Sequence, residues 1–289
     1  MGVRGRNAEV VGRTAGPPVG ARGPAAVVYT TLMTIAASAL TRQWEAQGFV
    51  APLGVLSEDE VRYYREEFDR LEAREGRDRA EIKLIDRHFD LEFVWRLAHH
   101  PRVLDAVEAA IGPNILLLAS HFFCKYPAVG AEGRGERFVA WHQDVTYWGL
   151  EPPLAVSGWI AIDDSDVENG CLRVIRGSHR NGLLSHGRAE RAGNLLSVNQ
   201  AIPSELVDEG EAVDVCLRAG QMSLHHGLLV HGSNPNRSSR RRCGLSIRYV
   251  PPEVRQVSPN SLGSFWKAVL VRGEDRSRHF PPPALPSRA

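Results

Sequence analysis

After Pro113 the chain never again holds one texture for long. The runs NILLLASHFFCKYP, AVSGWIAIDD, GCLRVIRGS, AVDVCLRAGQMSLHHGLLVHG and RRRCGLSIRYVP are short, apolar or alternating, and punctuated by Gly, Pro and Asn. Many short strands in one continuous block must close on themselves or stack to bury their apolar faces, so they read as a sandwich or barrel. Asn169-Gly170 is a tight-turn signal between two of these runs. The polar, Gly-containing segments 128–138 and 184–210 read as long loops over one mouth of the barrel, where loops of such length are commonly functional.

The first third is helical instead. In LSEDEVRYYREEFDRLEAREG, Ser57 and Glu60 form a capping-box pair and Val61, Tyr64, Phe68 and Leu71 recur at helical spacing. HPRVLDAVEAAIGP is a second helix, opened by Pro101 and closed by Gly112-Pro113. Residues 1–35, rich in Gly, Arg, Ala and Pro, are expected to form a disordered tail, with Met33 an alternative start. Residues 273–289 are expected to form a second tail, because Pro281 to Pro283 cannot continue a helix or a central strand. One domain over residues 36–272 remains, helices first and a β core after.

Charge excludes some partners. Lys plus Arg is 35 and Asp plus Glu is 34, so the basic excess that phosphate contacts demand of a nucleic-acid binder is missing. Cys124, Cys171, Cys216 and Cys243 form no CxxC pair, which fits a reducing, cytoplasmic setting better than a disulfide scaffold. The run PAAVVYTTLMTIAASAL has the look of a secretory signal, but its Thr residues and the Gly/Arg/Pro-rich stretch ahead of it argue against one. No stretch is apolar for long enough to span a membrane as a helix. Oligomeric state is not legible.

Chemistry concentrates in WHQDVTYWGL. On a strand, His142 and Asp144 project to the same side, where an imidazole and a carboxylate can chelate one divalent cation. A two-histidine, one-carboxylate face needs a third ligand from another strand, and HHGLLVHGS offers His225, His226 and His231. His226 lies five residues before His231 and faces the other way in a strand, whereas His225 shares its face. Arg240, Arg241 and Arg242 lead into the next strand, and one of them can present a planar fork to a carboxylate. His179 and Asn169-Gly170 read as loop-shaping, Tyr147 and Trp148 as packing or an active-site wall, and His88, His99 and His100 as helix-layer residues.

The order HxD, then NGCLRVIRGSH, then HGLLVHGSNPNRS, then Arg at the head of RRCGLSIRY resembles the phytanoyl-CoA dioxygenase family across roughly residues 40–252. The resemblance implies a mainly β fold with flanking helices (α+β) built on a double-stranded β-helix, a jelly-roll of cupin type. It also implies an Fe(II)- and 2-oxoglutarate-dependent dioxygenase that consumes O2 and oxidises an unactivated C–H bond. By motif, His142, Asp144 and His231 become the iron ligands, and Arg242, eleven residues past His231, grips the far carboxylate of 2-oxoglutarate. Ser233, Trp159 and, more loosely, His121 fall at positions beside that co-substrate. Halogenating relatives replace the carboxylate with a small residue, so Asp144 implies oxygenation.

The implied substrate is a small molecule, free or bound to CoA or a carrier, and the flavour of HQDVTYW resembles enzymes acting on specialised-metabolite intermediates. Two other readings use the same residues: a zinc or manganese cupin-like isomerase or hydrolase, which would have no use for Arg242, and a non-catalytic binding module, which would not require the triad. Because ligation needs unprotonated imidazoles, iron binding is expected to weaken as pH falls towards about 6.

Overall fold

Ser57 opens the first long helix as its composition predicts: its Oγ accepts from the Glu60 backbone N–H, and the Glu60 carboxylate accepts from the Ser57 N–H at 2.8 Å. The computed structural model describes residues 1–2, 38–129, 133, 135–261 and 263–283. Apart from residues 1 and 2, the expected tail over residues 1–35 lies outside these, as do Met33 and most of the apolar run from Pro24.

Helix α1 (residues 38–47) and strand β1 (Phe49–Gly54) precede helices α2 (Glu58–Glu75), α3 (Arg77–Ile82), α4 (Glu92–Ala98) and α5 (Pro101–Ile111). The strands that follow are β2 (Ile115–Lys125), β3 (Val139–His142), β4 (Leu150–Glu151), β5 (Val156–Ala161), β6 (Leu172–Ile175), β7 (Gly187–Arg188) and β8 (Gln200–Ala201). Then come β9 (Ala212–Val215), β10 (Gln221–His226), β11 (His231–Ser233), β12 (Arg242–Val250), β13 (Arg255–Gln256) and β14 (Val269–Arg272). They pair into a major sheet of order β1-β10-β5-β12-β2-β14 and a minor sheet of order β3-β11-β6-β9, with β13-β4 and β7-β8 as small outlying pairs. This is the jelly-roll core flanked by helices that the sequence implies.

Alternation gives the major sheet two different faces. Leu245, Ile247 and Tyr249 of β12 join Phe122 and Cys124 of β2 in a core with Phe68, Leu71, Val94, Leu97, Val103 and Val107 of the helices. Residues of the opposite parity, Arg242, Ser246 and Arg248, face the barrel interior. At ~1.5–3 kcal/mol for each large side chain buried, the outer layer stabilises the sheet while the inner face carries polar groups.

Three details depart from expectation. The helical third contains β1, which pairs antiparallel with β10 at the sheet edge, its register broken between Val50 and Leu53 around Pro52. Pro supplies no N–H to a ladder and is tolerated at an edge, and the residue hid the strand from pattern reading. Asn169-Gly170 does form a turn, but the strands flanking it, β5 and β6, belong to different sheets. The tail expected from residue 273 is also packed in part: Phe280 is buried with Leu116, Val145 and Val254, because one aromatic ring finds an apolar seat that composition does not register. Residues 284–289 lie outside the described residues. Among the described residues no helix is long and apolar enough to cross a membrane.

His226 turns away from the interior, against Trp44 (ring centroids 5.6 Å) and His179 (5.4 Å), and its Nδ1 accepts from the Leu228 N–H at 3.0 Å. Burial first, then the charges of His179 and His225, push its pKa down to about 4. The folded protein therefore keeps the ring neutral while the unfolded chain protonates it near 6.5, so the stability it contributes at neutral pH is lost as pH falls from about 6.5 towards about 4. Between about pH 7.5 and about pH 5 this amounts to about 2 kcal/mol. Urea denaturation of His226→Gln is expected to show an acid loss of stability smaller by about that amount; an identical loss in both proteins would contradict it.

Candidate active site

Strand β3 ends at His142, opposite His231 of β11. Gln143 continues in extended backbone (φ −118°, ψ 131°), so its side chain points away and that of Asp144 returns to the His142 side. Asp144 is not on the strand, as its spacing from His142 suggested; it begins a one-turn 3-10 helix, Asp144–Tyr147. The extended residue between them preserves the alternation on which the sequence argument rested. Gln143 is fully buried, donating from Nε2 to the Gly182 and Leu228 carbonyls (2.8 and 2.7 Å) and accepting from the Leu184 N–H at 2.7 Å. The middle residue of HQD thus ties both neighbours to the surrounding loops, a role pattern reading missed.

The donor atoms converge. Asp144 Oδ1 lies 3.6 Å from His142 Nε2 and 3.9 Å from His231 Nε2, and one ligand atom from each residue lies within 4.8 Å of the others. Each imidazole donates its Nδ1–H to a backbone carbonyl, His142 to Ala140 and His231 to Leu229, both at 2.9 Å. That leaves both Nε2 lone pairs free and aims them inward, the usual outer support of metal-binding histidines. Burial, then His142 and His225, hold His231 well below its ordinary pKa, so its neutral form persists to lower pH than the reference value suggested.

The second carboxylate oxygen is held from behind. Ser157 Oγ of β5 donates to Asp144 Oδ2 at 2.6 Å, and His225 Nε2 lies 3.5 Å from the same atom. Burial alone would raise the Asp144 pKa, but its contacts with His142 and His225, with the charges of Arg248 and His231, hold it well below the usual carboxylate range. An ionised carboxylate presenting one oxygen beside two neutral imidazoles is a donor set for a divalent cation with open coordination positions.

A cavity runs from this triad along β12 to Arg242. Arg242 is 4% exposed, with its guanidinium carbon 5.3 Å from the Trp159 ring centre and Nη2 donating to the Gly170 carbonyl at 2.9 Å. Its Nε has no hydrogen-bond partner among the described residues. Two glycines fix this arrangement: a Cβ at Gly244 would sit 2.0 Å from the Trp159 ring, and at Gly170 (φ +78°) 2.3 Å from the Asn234 carbonyl. Beside Arg242 lies Lys125, 1% exposed, whose Nζ donates to Ser233 Oγ and the Asn234 carbonyl, both at 2.5 Å. Burial, then the charge of Arg242, pushes the Lys125 pKa well down. Among the described residues neither cation has a carboxylate partner, and such a pair suits an anion. The sequence suggested no role for Lys125, one of only three lysines in an Arg-rich chain.

The competing residues separate. Arg241 points outward to Asp163 (2.9 Å), Asp69 (2.7 Å) and Glu72, and Arg240 to Asp166 (2.8 Å) and Glu168 (3.2 Å). His179 lies with His226 outside the cavity, while His88 bonds Ser120 Oγ at 2.8 Å in the helix layer. His99 and His100 are likewise engaged there, with the Trp95 carbonyl and Glu60. His121 does not line the Arg242 cavity: its Nε2 lies 2.5 Å from the Ile82 carbonyl, and the ring borders a second cavity that shares His142 and Asp144 with the first, as do Tyr147 and Trp148. Leu195 and Leu196, from the 184–210 loop, line both cavities.

A two-histidine, one-carboxylate face inside a jelly-roll, next to buried cations, defines an iron(II)- and 2-oxoglutarate-dependent non-haem oxygenase. The chain belongs to the phytanoyl-CoA dioxygenase family, whose model matches residues 44–244. It is 26% identical to the peroxisomal phytanoyl-CoA dioxygenase of Mus musculus over 256 residues, 81% of this chain and 74% of that one. Among solved structures it is similar to the non-heme monooxygenase ThoJ, with 31% identity, TM-score 0.69, and coverage of 86% of this chain and 88% of that one. It is also similar to the non-heme alpha ketoglutarate dependent epimerase SnoN from nogalamycin biosynthesis, at 25% identity, TM-score 0.60, and coverage of 77% and 86%.

Removing the support behind the carboxylate tests the geometry. Ser157→Ala leaves Asp144 free to rotate and is expected to weaken Fe(II) binding by roughly tenfold or more in anaerobic titration. An unchanged affinity would show that the Ser157 hydroxyl does not orient the ligand.

Proposed function

We propose that His142, Asp144 and His231 hold the iron, and that Arg242 and Lys125 receive the far carboxylate of 2-oxoglutarate. The reaction we assign is hydroxylation, or another oxidation, of an unactivated C–H bond in a small intermediate of specialised metabolism. The observation that carries this reading is the pairing of two separate devices in one interior: a three-donor face and, along β12, two buried cations without a carboxylate partner among the described residues. A zinc or manganese isomerase would use the first and leave the second unexplained. The likeness to SnoN, an epimerase from nogalamycin biosynthesis, supports the substrate class.

When bound, iron and 2-oxoglutarate supply dioxygen activation, with co-substrate oxidised to succinate and carbon dioxide as oxygen is delivered to the substrate. The chain's own groups do the rest. Ser157 and His225 turn Asp144 so that one oxygen faces the cation. Ser233 and the Asn234 carbonyl fix Lys125, while Trp159 and the Gly170 carbonyl fix Arg242, so the anion meets donors that need no rearrangement. Leu195 and Leu196 supply an apolar wall to the cavity beside the triad. His121, expected beside the co-substrate, is assigned here to the wall of the second cavity.

Anaerobic addition of Fe(II) and 2-oxoglutarate is expected to give a weak visible charge-transfer band, absent with either alone. No band, together with tight Zn(II) binding, would sink the reading. Arg242→Ala should raise the 2-oxoglutarate concentration at half-saturation roughly a hundredfold, about 3 kcal/mol, since it leaves a buried carboxylate unpaired. Asp144→Gly should lose substrate-coupled succinate formation, and hydroxylation at the unaltered rate would remove Asp144 from the ligand set.

A further inference from the structure

One cation in the interior is not used above. Arg248 lies six residues beyond Arg242 on β12, on the same inward face. Across the sheet it stands opposite Ser157, which in turn stands opposite His225, so the row His225, Ser157, Arg248 crosses the sheet level with Asp144. Its guanidinium makes no hydrogen bond and no ion pair within 4.0 Å among the described residues, and its Nε is buried without a partner. Asp86 and Asp144 feel its charge, but neither is within that distance. The guanidinium carbon sits 5.2 Å from the ring centre of Trp148, which lines the second cavity and not the first. The side chain therefore reaches the second cavity as well as the first.

The second cavity borders His142 and Asp144 and is walled largely by aromatic side chains. Tyr147, Trp148 and Trp266 give it flat apolar walls, and Asn260, Ser261 and Gln200 give it neutral polar ones. Apart from Asp144, its one charged group among the described residues is Arg248, since burial and then the charge of Arg248 push the His121 pKa down to about 3 and leave that ring neutral. A partnerless planar fork at the rim of an aromatic cavity calls for a planar anion, because a carboxylate can take two parallel N–H bonds from it while its carbon skeleton packs on the rings.

We propose that Arg248 is the receptor for a carboxylate on the substrate, so that this oxygenase acts on small organic acids whose carboxylate is anchored beside the metal. The proposal rests on the oxygenase reading and names its substrate class. A carboxylate at Arg248 limits how far the oxidised carbon lies from it: the row shared with Asp144 favours C–H bonds within a few bonds of the acid group.

The test uses the full-length protein loaded anaerobically with Fe(II) and saturating 2-oxoglutarate. Phenylacetate and octanoate are titrated against phenylacetamide and octanamide, following the visible charge-transfer band and, with the metal omitted, tryptophan fluorescence from Trp148 and Trp266. Each acid is expected to bind on the order of tenfold tighter than its amide. Arg248→Gln should abolish that preference while moving half-saturation by 2-oxoglutarate less than about twofold, and Arg248→Lys, with charge but no fork, should keep part of it. Equal binding of acid and amide, binding of neither, or an Arg248→Gln effect on 2-oxoglutarate in place of the acids would each overturn the proposal. If the band never forms but fluorescence still separates acid from amide, the oxygenase reading fails and the anion receptor stands.

Discussion

The pairing of β12 between β2 and β5 sets the terms for everything else. Its Leu245, Ile247 and Tyr249 anchor the helix layer, and its Arg242, Ser246 and Arg248 furnish the interior. A slip of one residue would exchange the two sets, driving guanidinium groups into the apolar layer and leucines into the cavity. Register is therefore held by the difference between burying hydrocarbon and burying charge, not by hydrogen bonds alone. The same register places Gly244 under the Trp159 ring, where no other residue fits, and so sets the floor on which Arg242 rests.

The interior is electrostatically unfinished. Arg242, Lys125 and Arg248 all border it, and the carboxylate beside the histidines, Asp144, offers one oxygen to Ser157 and the other to the two Nε2 atoms. Surface arginines of the same strand region show the contrast: Arg240 and Arg241 are each met by acidic neighbours. Leaving inner cations without such partners costs stability and is repaid only when anions and a divalent cation arrive. Ligand binding should consequently stabilise this fold more than contact area suggests.

How much of this was legible follows from the physics of each feature. Strand alternation is local, so the shared side of His142 and Asp144 could be read from spacing, and it survived even though Asp144 belongs to a turn. The opposite outlooks of His225 and His226, and of Arg241 and Arg242, follow from the same rule and appear in the structure. Lys125 was not legible because its meaning depends on Arg242 across a strand pair, which no local pattern encodes. Gln143 and Ser157 were missed for the same reason, since their partners lie 39 and 13 residues away. Pro52 concealed β1, and Phe280 was overlooked because a single ring among prolines carries no periodicity.

Phe280 has a consequence for the far end of the molecule. It packs in the cluster that contains Val145, the residue after Asp144, and against which Trp148 and Trp266 rest. The last described stretch of the chain is thus a buttress for the wall of the second cavity. Shortening the protein after Arg272, or fusing a bulky partner close behind Pro283, would disturb that wall from outside while leaving the triad and the Arg242 pocket in place. In this fold the segment around Phe280 shapes the second cavity from behind its wall.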